Sequence, residues 1–134
     1  MLKQLSIYAE NKKGALQTMT NALYEAGINI WGSVTNDGAE YGINRMVVSD
    51  PDKAKEVLTE KGYLCSFVDV LAVEIEDKPG ALNTLLTALL DSNVNVDYTY
   101  LSFNRDSSTP VMILHTADPE EVEICLRAKG FKMV

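Results

Sequence analysis

Hydrophobic and polar positions along the chain change period in a fixed order, and the order occurs twice. Leu5, Ile7 and Ala9 alternate with Ser6 and Tyr8, the period of a half-buried strand, and Leu71, Val73 and Ile75 alternate in the same way later on. After Gly14 and Gly80 the period lengthens to that of a helix. Leu16, Met19 and Leu23 then share one face, as do Leu82, Leu85, Leu86, Leu89 and Leu90. Both helices run out at Gly27 and Asn93, residue types that tolerate a left-handed stop. Strand-like runs follow over 28–35 and 41–49, joined through the hairpin signal Asn36-Asp37-Gly38, and again over 94–103 and 110–116. Asp50-Pro51 and Asp118-Pro119 open second helices, with Asp as N-cap and Pro at the first helical position. Glu121 at the third position predicts a capping box in the second of these. Lys61-Gly62 and Lys129-Gly130 close them, and last strands are expected over 63–67 and 131–134.

The two halves are copies of one unit. Shifting residues 3–34 by 66 positions onto 69–100 gives ten identities: Leu5, Glu10, Lys12, Gly14, Ala15, Leu16, Thr18, Ala22, Leu23 and Asn29. Chance gives roughly two in such a window. Beyond the hairpin the shift becomes 68, which aligns Asp50-Pro51 with Asp118-Pro119 and Lys61-Gly62-Tyr63 with Lys129-Gly130-Phe131. The two additional residues belong in the polar stretch 104–109, where a loop absorbs them without disturbing its strands. Each copy therefore reads β-α-β-β-α-β. The expected fold is α+β: two tandem ferredoxin-like units, residues 1–68 and 69–134, with antiparallel sheets and helices on one face. No Gly/Pro/Ser-rich linker separates the copies. Units this small bury a modest core, so they are expected to pair side by side.

Charge and composition narrow the classes. The formal net charge is -7. Residues 1–68 hold seven Lys/Arg against eight Asp/Glu and residues 69–134 five against eleven, so the halves carry -1 and -6. Such a surface repels phosphate backbones, so no nucleic-acid partner is expected, and the acidity reads first as solvated surface. No apolar run is long enough to span a membrane, and the N-terminus has no signal-peptide pattern, so the expectation is a cytoplasmic chain without a membrane partner. Cys65 and Cys125 stand far apart and read as free buried thiols. With one histidine, His115, spacing assembles neither a metal site nor a Ser/His/Asp or Cys/His catalytic set. No catalytic residue, metal or cofactor is expected. His115 reads as a strand histidine with a satisfied nitrogen.

Candidate chemistry lies where the first strand turns into its helix. Asn11-Lys12-Lys13-Gly14-Ala15-Leu16 and Asp77-Lys78-Pro79-Gly80-Ala81-Leu82 both lead into a helix N-terminus, whose unpaired N–H groups and dipole favour an anion. A small carboxylate fits there. An amino acid also needs acceptors for its ammonium, which Asn11, Asp77, Asn29 or Asn95 could supply. The plain alternative is that the glycines only make tight turns and the asparagines only cap helix exits. Against it stands the joint recurrence: fifteen residues separate Gly14 from Asn29, and fifteen separate Gly80 from Asn95.

A strand, then [D/N]-x-P-G-x-L, a helix, then G-[I/V]-N-[I/V] resembles the ACT domain family, in two copies covering nearly the whole chain. Lys13 stands where the family has Pro, and Asn93 where it has Gly. The resemblance implies regulatory modules that pair and bind small effectors, commonly amino acids, at their seam. It implies effector contacts from Asn11, Gly14, Ala15, Leu16, Asn29 and Ile30, and from Asp77, Gly80, Ala81, Leu82, Asn95 and Val96. Trp31, Asp97, Tyr98 and Tyr100 would line the side-chain end of such a pocket, although aromatic strand residues more often serve sheet packing. A chain made of these units alone looks like the stand-alone tandem ACT proteins, a homodimer or other homo-oligomer acting on a target protein encoded elsewhere. The rival reading is a protein-interaction module with no small ligand.

Overall fold

The computed structural model of the chain describes residues 1–10, 12–36 and 41–134. Asn11 and most of the predicted Asn-Asp-Gly hairpin (37–40) lie outside the described residues. In chain order the elements are β1 (Leu2–Glu10), α1 (Ala15–Glu25), β2 (Ile30–Asn36), β3 (Tyr41–Val48), α2 (Pro51–Glu60), β4 (Leu64–Glu74), α3 (Ala81–Asp91), β5 (Tyr98–Phe103), β6 (Pro110–His115) and α4 (Pro119–Ala128). The chain divides into two compact units: Lys3–Val68, and Asp69–Val134 together with Met1–Leu2.

Within the first unit the strand order is β2-β3-β1, all antiparallel. Leu5 pairs with Met46 and Ile7 with Asn44. Met19 and Leu23 of α1 and Leu58 of α2 close on that sheet, and Tyr63, Cys65 and Phe67 pack against the same core. Within the second unit the order is β4-β6-β5. Leu71 pairs with Leu114 and Val73 with Met112, the same register as in the first unit under the shifts of 66 and 68. Leu85 and Leu89 of α3 and Leu126 of α4 complete the second core. Both units are thus antiparallel sheets with helices on one face.

Several boundaries depart from the sequence pattern. The last strand of the first copy and the first strand of the second are one continuous strand, β4. The expected closing strand over 131–134 reduces to one bridge, Val73 to Met133. Its two bonds run from Glu74 N–H to the Lys132 carbonyl and from Val134 N–H to that of Ala72. The strand expected from Val94 starts at Tyr98, because Tyr98 pairs with His115 at the end of β6. Asp97 N–H still donates to the His115 carbonyl, but β6 ends there and the residues further back have no strand partner among the described residues. Val94 and Val96 instead pack on the second core from irregular backbone. Likewise β2 starts at Ile30, leaving Asn29 outside the strand.

Apolar helix positions also exceed what the sheet covers. Leu85 and Leu89 are buried, whereas Leu82, Leu86 and Leu90 form a second stripe at a spacing of four and remain 38%, 38% and 76% exposed. Leu16 is exposed as well. Both cysteines are free and half-buried. Burial pushes the Cys65 thiol pKa up, against opposing effects of Lys55 and a Thr59 hydrogen bond.

Candidate functional site

Each unit builds the same turn. Gly14 has φ 84° and Gly80 φ 87°, the left-handed conformation, and each stands at the N-cap of its helix with no side-chain cap. Ala15 N–H donates to the Lys12 carbonyl and Thr18 N–H to that of Gly14; Ala81 with Lys78, and Thr84 with Gly80, repeat the arrangement. The intervening amides of Leu16, Gln17, Leu82 and Asn83 have no backbone acceptor among the described residues. A β-carbon on either glycine would meet open space, so left-handed backbone geometry, rather than crowding, makes glycine the residue here.

A cleft lies beside each turn. In the first unit it encloses about 380 Å³ and is lined by Glu10, Lys12, Ala15, Thr18 and Tyr63. In the second it encloses about 380 Å³ and is lined by Glu76, Lys78, Ala81, Thr84 and Phe131, the same five positions under the internal shifts. Each lining holds an ion pair: Lys12 Nζ to Glu10 Oε2 at 3.0 Å, and Lys78 Nζ to Glu76 Oε2 at 2.7 Å. Site selection from the turn motif alone misses these acid–base pairs. Their signal was present in the sequence, since Glu10, Lys12 and Thr18 are among the ten identities.

The turn of the first unit borders a second cleft, of about 350 Å³, lined by Gly14, Leu16, Met19, Thr35 and Asn44. Asn44 is 4% exposed. Its amide nitrogen donates to Thr35 Oγ1 at 2.7 Å and to Ser33 Oγ at 3.3 Å. The equivalent pair in the second unit is Met112 opposite Leu101, both apolar.

The remaining site candidates divide. Asp77 is exposed, beside the turn but outside the cleft lining. Gly80 and Leu82 flank Ala81 without lining the cleft. Asn29 is exposed; its N–H donates to Ser49 Oγ at 2.9 Å and its carbonyl accepts from Ser49 N–H. Asn95 spends its amide on Asp97, at 3.1 Å. Neither asparagine lines the turn cleft of its own unit. Ile30 and Val96 pack against the two cores. His115 Nδ1 lies 2.8 Å from Asp97 Oδ2 and its ring stacks on Tyr98 at 4.9 Å, the satisfied strand histidine that was expected. Tyr100 is buried, as sheet packing requires. Among the described residues no group of His, Cys, Asp and Glu is placed to hold a metal ion, and no helix is long and apolar enough to cross a membrane.

The structure thus repeats one small ferredoxin-like unit twice, each with a left-handed glycine turn at a helix start. The family model described as an ACT domain pair matches residues 1–133, and the chain belongs to that family. A crystal structure of a protein from Bacteroides thetaiotaomicron superposes with a TM-score of 0.90 at 30% identity, covering 99% of this chain and 91% of that one. The ligand-free regulatory subunit of aspartate kinase from Thermus thermophilus gives 0.69 at 17% identity, covering 94% and 88%. The corresponding subunit from Thermus flavus gives 0.62 at 20%, covering 96% and 91%. At these last identities the likeness is one of fold. No curated protein sequence matches the chain.

Proposed function

We propose that this chain is a non-catalytic sensor that binds an amino acid through the repeated turns of its ACT units and passes the bound state to a target protein. One observation carries the reading: the same turn, the same unpaired helix-start amides and the same acid–base pair recur in both units, each beside a cleft of about 380 Å³. Unpaired N–H groups at a helix start receive a carboxylate. A carboxylate such as Glu10 or Glu76 receives an ammonium, so a zwitterion finds both complements at one turn. The likeness in fold to regulatory subunits of aspartate kinase is consistent with this role. Binding to the folded chain alone would stabilise it by mass action, and signalling would follow from differential affinity for two states.

Thermal-shift titration against each proteinogenic amino acid tests the proposal, with Asp77→Ala, Asn29→Ala, Asn95→Ala and Glu76→Gln as variants. The expected outcome is a saturable rise in Tm for one or a few amino acids, reduced by substitutions at the turn. A flat response to every amino acid at millimolar concentration leaves the protein-interaction module as the surviving function.

A further inference from the structure

The two units share a fold, so a place where one carries polar groups that the other lacks marks a difference made by side chains alone. One such place is where α3 ends, β6 ends and α4 begins. A cleft of about 420 Å³ opens there, lined by Ser92, Asn95, Asp97, Thr116, Asp118 and Glu121 among others, and it shares no residue with the turn cleft of the same unit. Its volume is within the range of small-molecule sites.

Thr116 is 2% exposed, and its hydroxyl has no hydrogen-bond partner among the described residues. A buried hydroxyl left unpaired is a group that a bound molecule or a water must satisfy. Asp118 occupies the N-cap of α4 yet makes no capping hydrogen bond. The side chain of Glu121, one turn on, forms no hydrogen bond or ion pair to any described residue. The capping box that the sequence predicted is therefore absent, and two carboxylates remain at the cleft. Asp97 adds a third, held by Asn95 and His115. Lysine and arginine are missing from the lining.

The first unit supplies the control. At the positions of Asp97, Thr116 and Glu121 it has Trp31, Val48 and Lys53. There Asp50 accepts from Lys53 N–H at 3.1 Å, and Ser49 Oγ is taken by Asn29 N–H. At that corner the N-cap carboxylate and the Ser49 hydroxyl are both engaged. In the second unit the N-cap carboxylate of Asp118 makes no such bond, the Thr116 hydroxyl has no partner among the described residues, and the lysine position has become Glu121.

We propose that this corner of the second unit is a binding site for a small organic cation with a primary ammonium group. An ammonium offers three donors and no acceptor, which suits a cleft whose spare capacity consists of two carboxylates and a buried hydroxyl oxygen. A bare metal ion is disfavoured, because among the described residues no three His, Cys, Asp or Glu side chains converge. The site stands apart from the amino-acid reading of the turns and does not depend on it.

The test is an NMR titration of the ¹⁵N-labelled full chain with n-butylammonium chloride, with n-butanol as the neutral control and magnesium chloride as the metal control. Saturable shifts of the Asn95, Ala117 and Glu121 amides are expected with the amine alone, and none at Asn29, Ser49 and Lys53. Thr116→Val and Glu121→Lys each install the residue that the first unit already accommodates, so both should fold, as circular dichroism would check. Each should weaken the amine by about tenfold or more. Equal response to n-butanol or magnesium, no saturation, or undiminished binding in both variants would overturn the proposal. A water molecule would then be the occupant of the Thr116 hydroxyl. Because these variants leave the turns intact, amino-acid binding there should persist in both.

Discussion

A single backbone angle at Gly14 and Gly80 sets the direction in which each helix start faces. At φ 84° and 87° an L side chain is strained even where nothing crowds it, and the space around both glycines is open. Gly14→Ala and Gly80→Ala are therefore each expected to cost about 1–2 kcal/mol, the cost of the left-handed conformation for an L residue. The Asn variants should cost less, since Asn visits that region more readily. Urea unfolding of the variants measures this; equal stability of Ala and Asn would show that the backbone relaxes out of the left-handed region. Sequence reading located these glycines correctly. It did not single out Glu10 with Lys12 and Glu76 with Lys78, which line the cleft beside each turn, because a charged pair two apart reads as solvated surface until that cleft is seen.

At the scale of the element, the two copies of the second helix look interchangeable in sequence and are not. Asp50 caps α2 by accepting from Lys53 N–H, whereas Asp118 at the start of α4 makes no such bond. Asp50→Ala should therefore destabilise the chain by about 1 kcal/mol. Asp118→Ala should cost a few tenths at most, because only helix-dipole attraction is lost and repulsion from Glu120 and Glu121 eases. Paired chemical denaturation curves decide it, and equal losses would mean that Asp118 caps in solution. Strand ends show why element boundaries were the less legible part. Val94 and Val96 alternate as a strand does, but a strand also needs an edge to bond, and β6 stops at His115.

Charge acts on the molecule as a whole. Of the net -7, residues 69–134 carry -6, and among the described residues the pairs Lys3–Asp52, Lys12–Glu10 and Lys78–Glu76 are exposed on both sides. Exposed pairs contribute little, so screening removes little attraction and much like-charge repulsion. Raising NaCl from low to physiological ionic strength should accordingly raise Tm by a few degrees, as differential scanning calorimetry would show. A fall in Tm would place the ion pairs above the repulsion. At this scale the fold of each unit was legible from the repeat, because two copies of one period pattern constrain each other.

The order of elements, the duplication, the two glycine turns and the apolar face of each helix were legible in the sequence alone. All of these follow from local conformational preference and from the period of burial. Tertiary structure alone decided which leucines of α3 are covered, since five span a wider arc than one sheet face can bury. It decided that Asn44 lies buried with Thr35 where the second unit places Met112 and Leu101. It also decided that the Thr116 hydroxyl and the Asp118 side chain at one corner bond to none of the described residues, whereas Asp50, the counterpart of Asp118, caps its helix. Satisfaction of a polar group depends on what stands opposite it in space, and sequence neighbours do not carry that information.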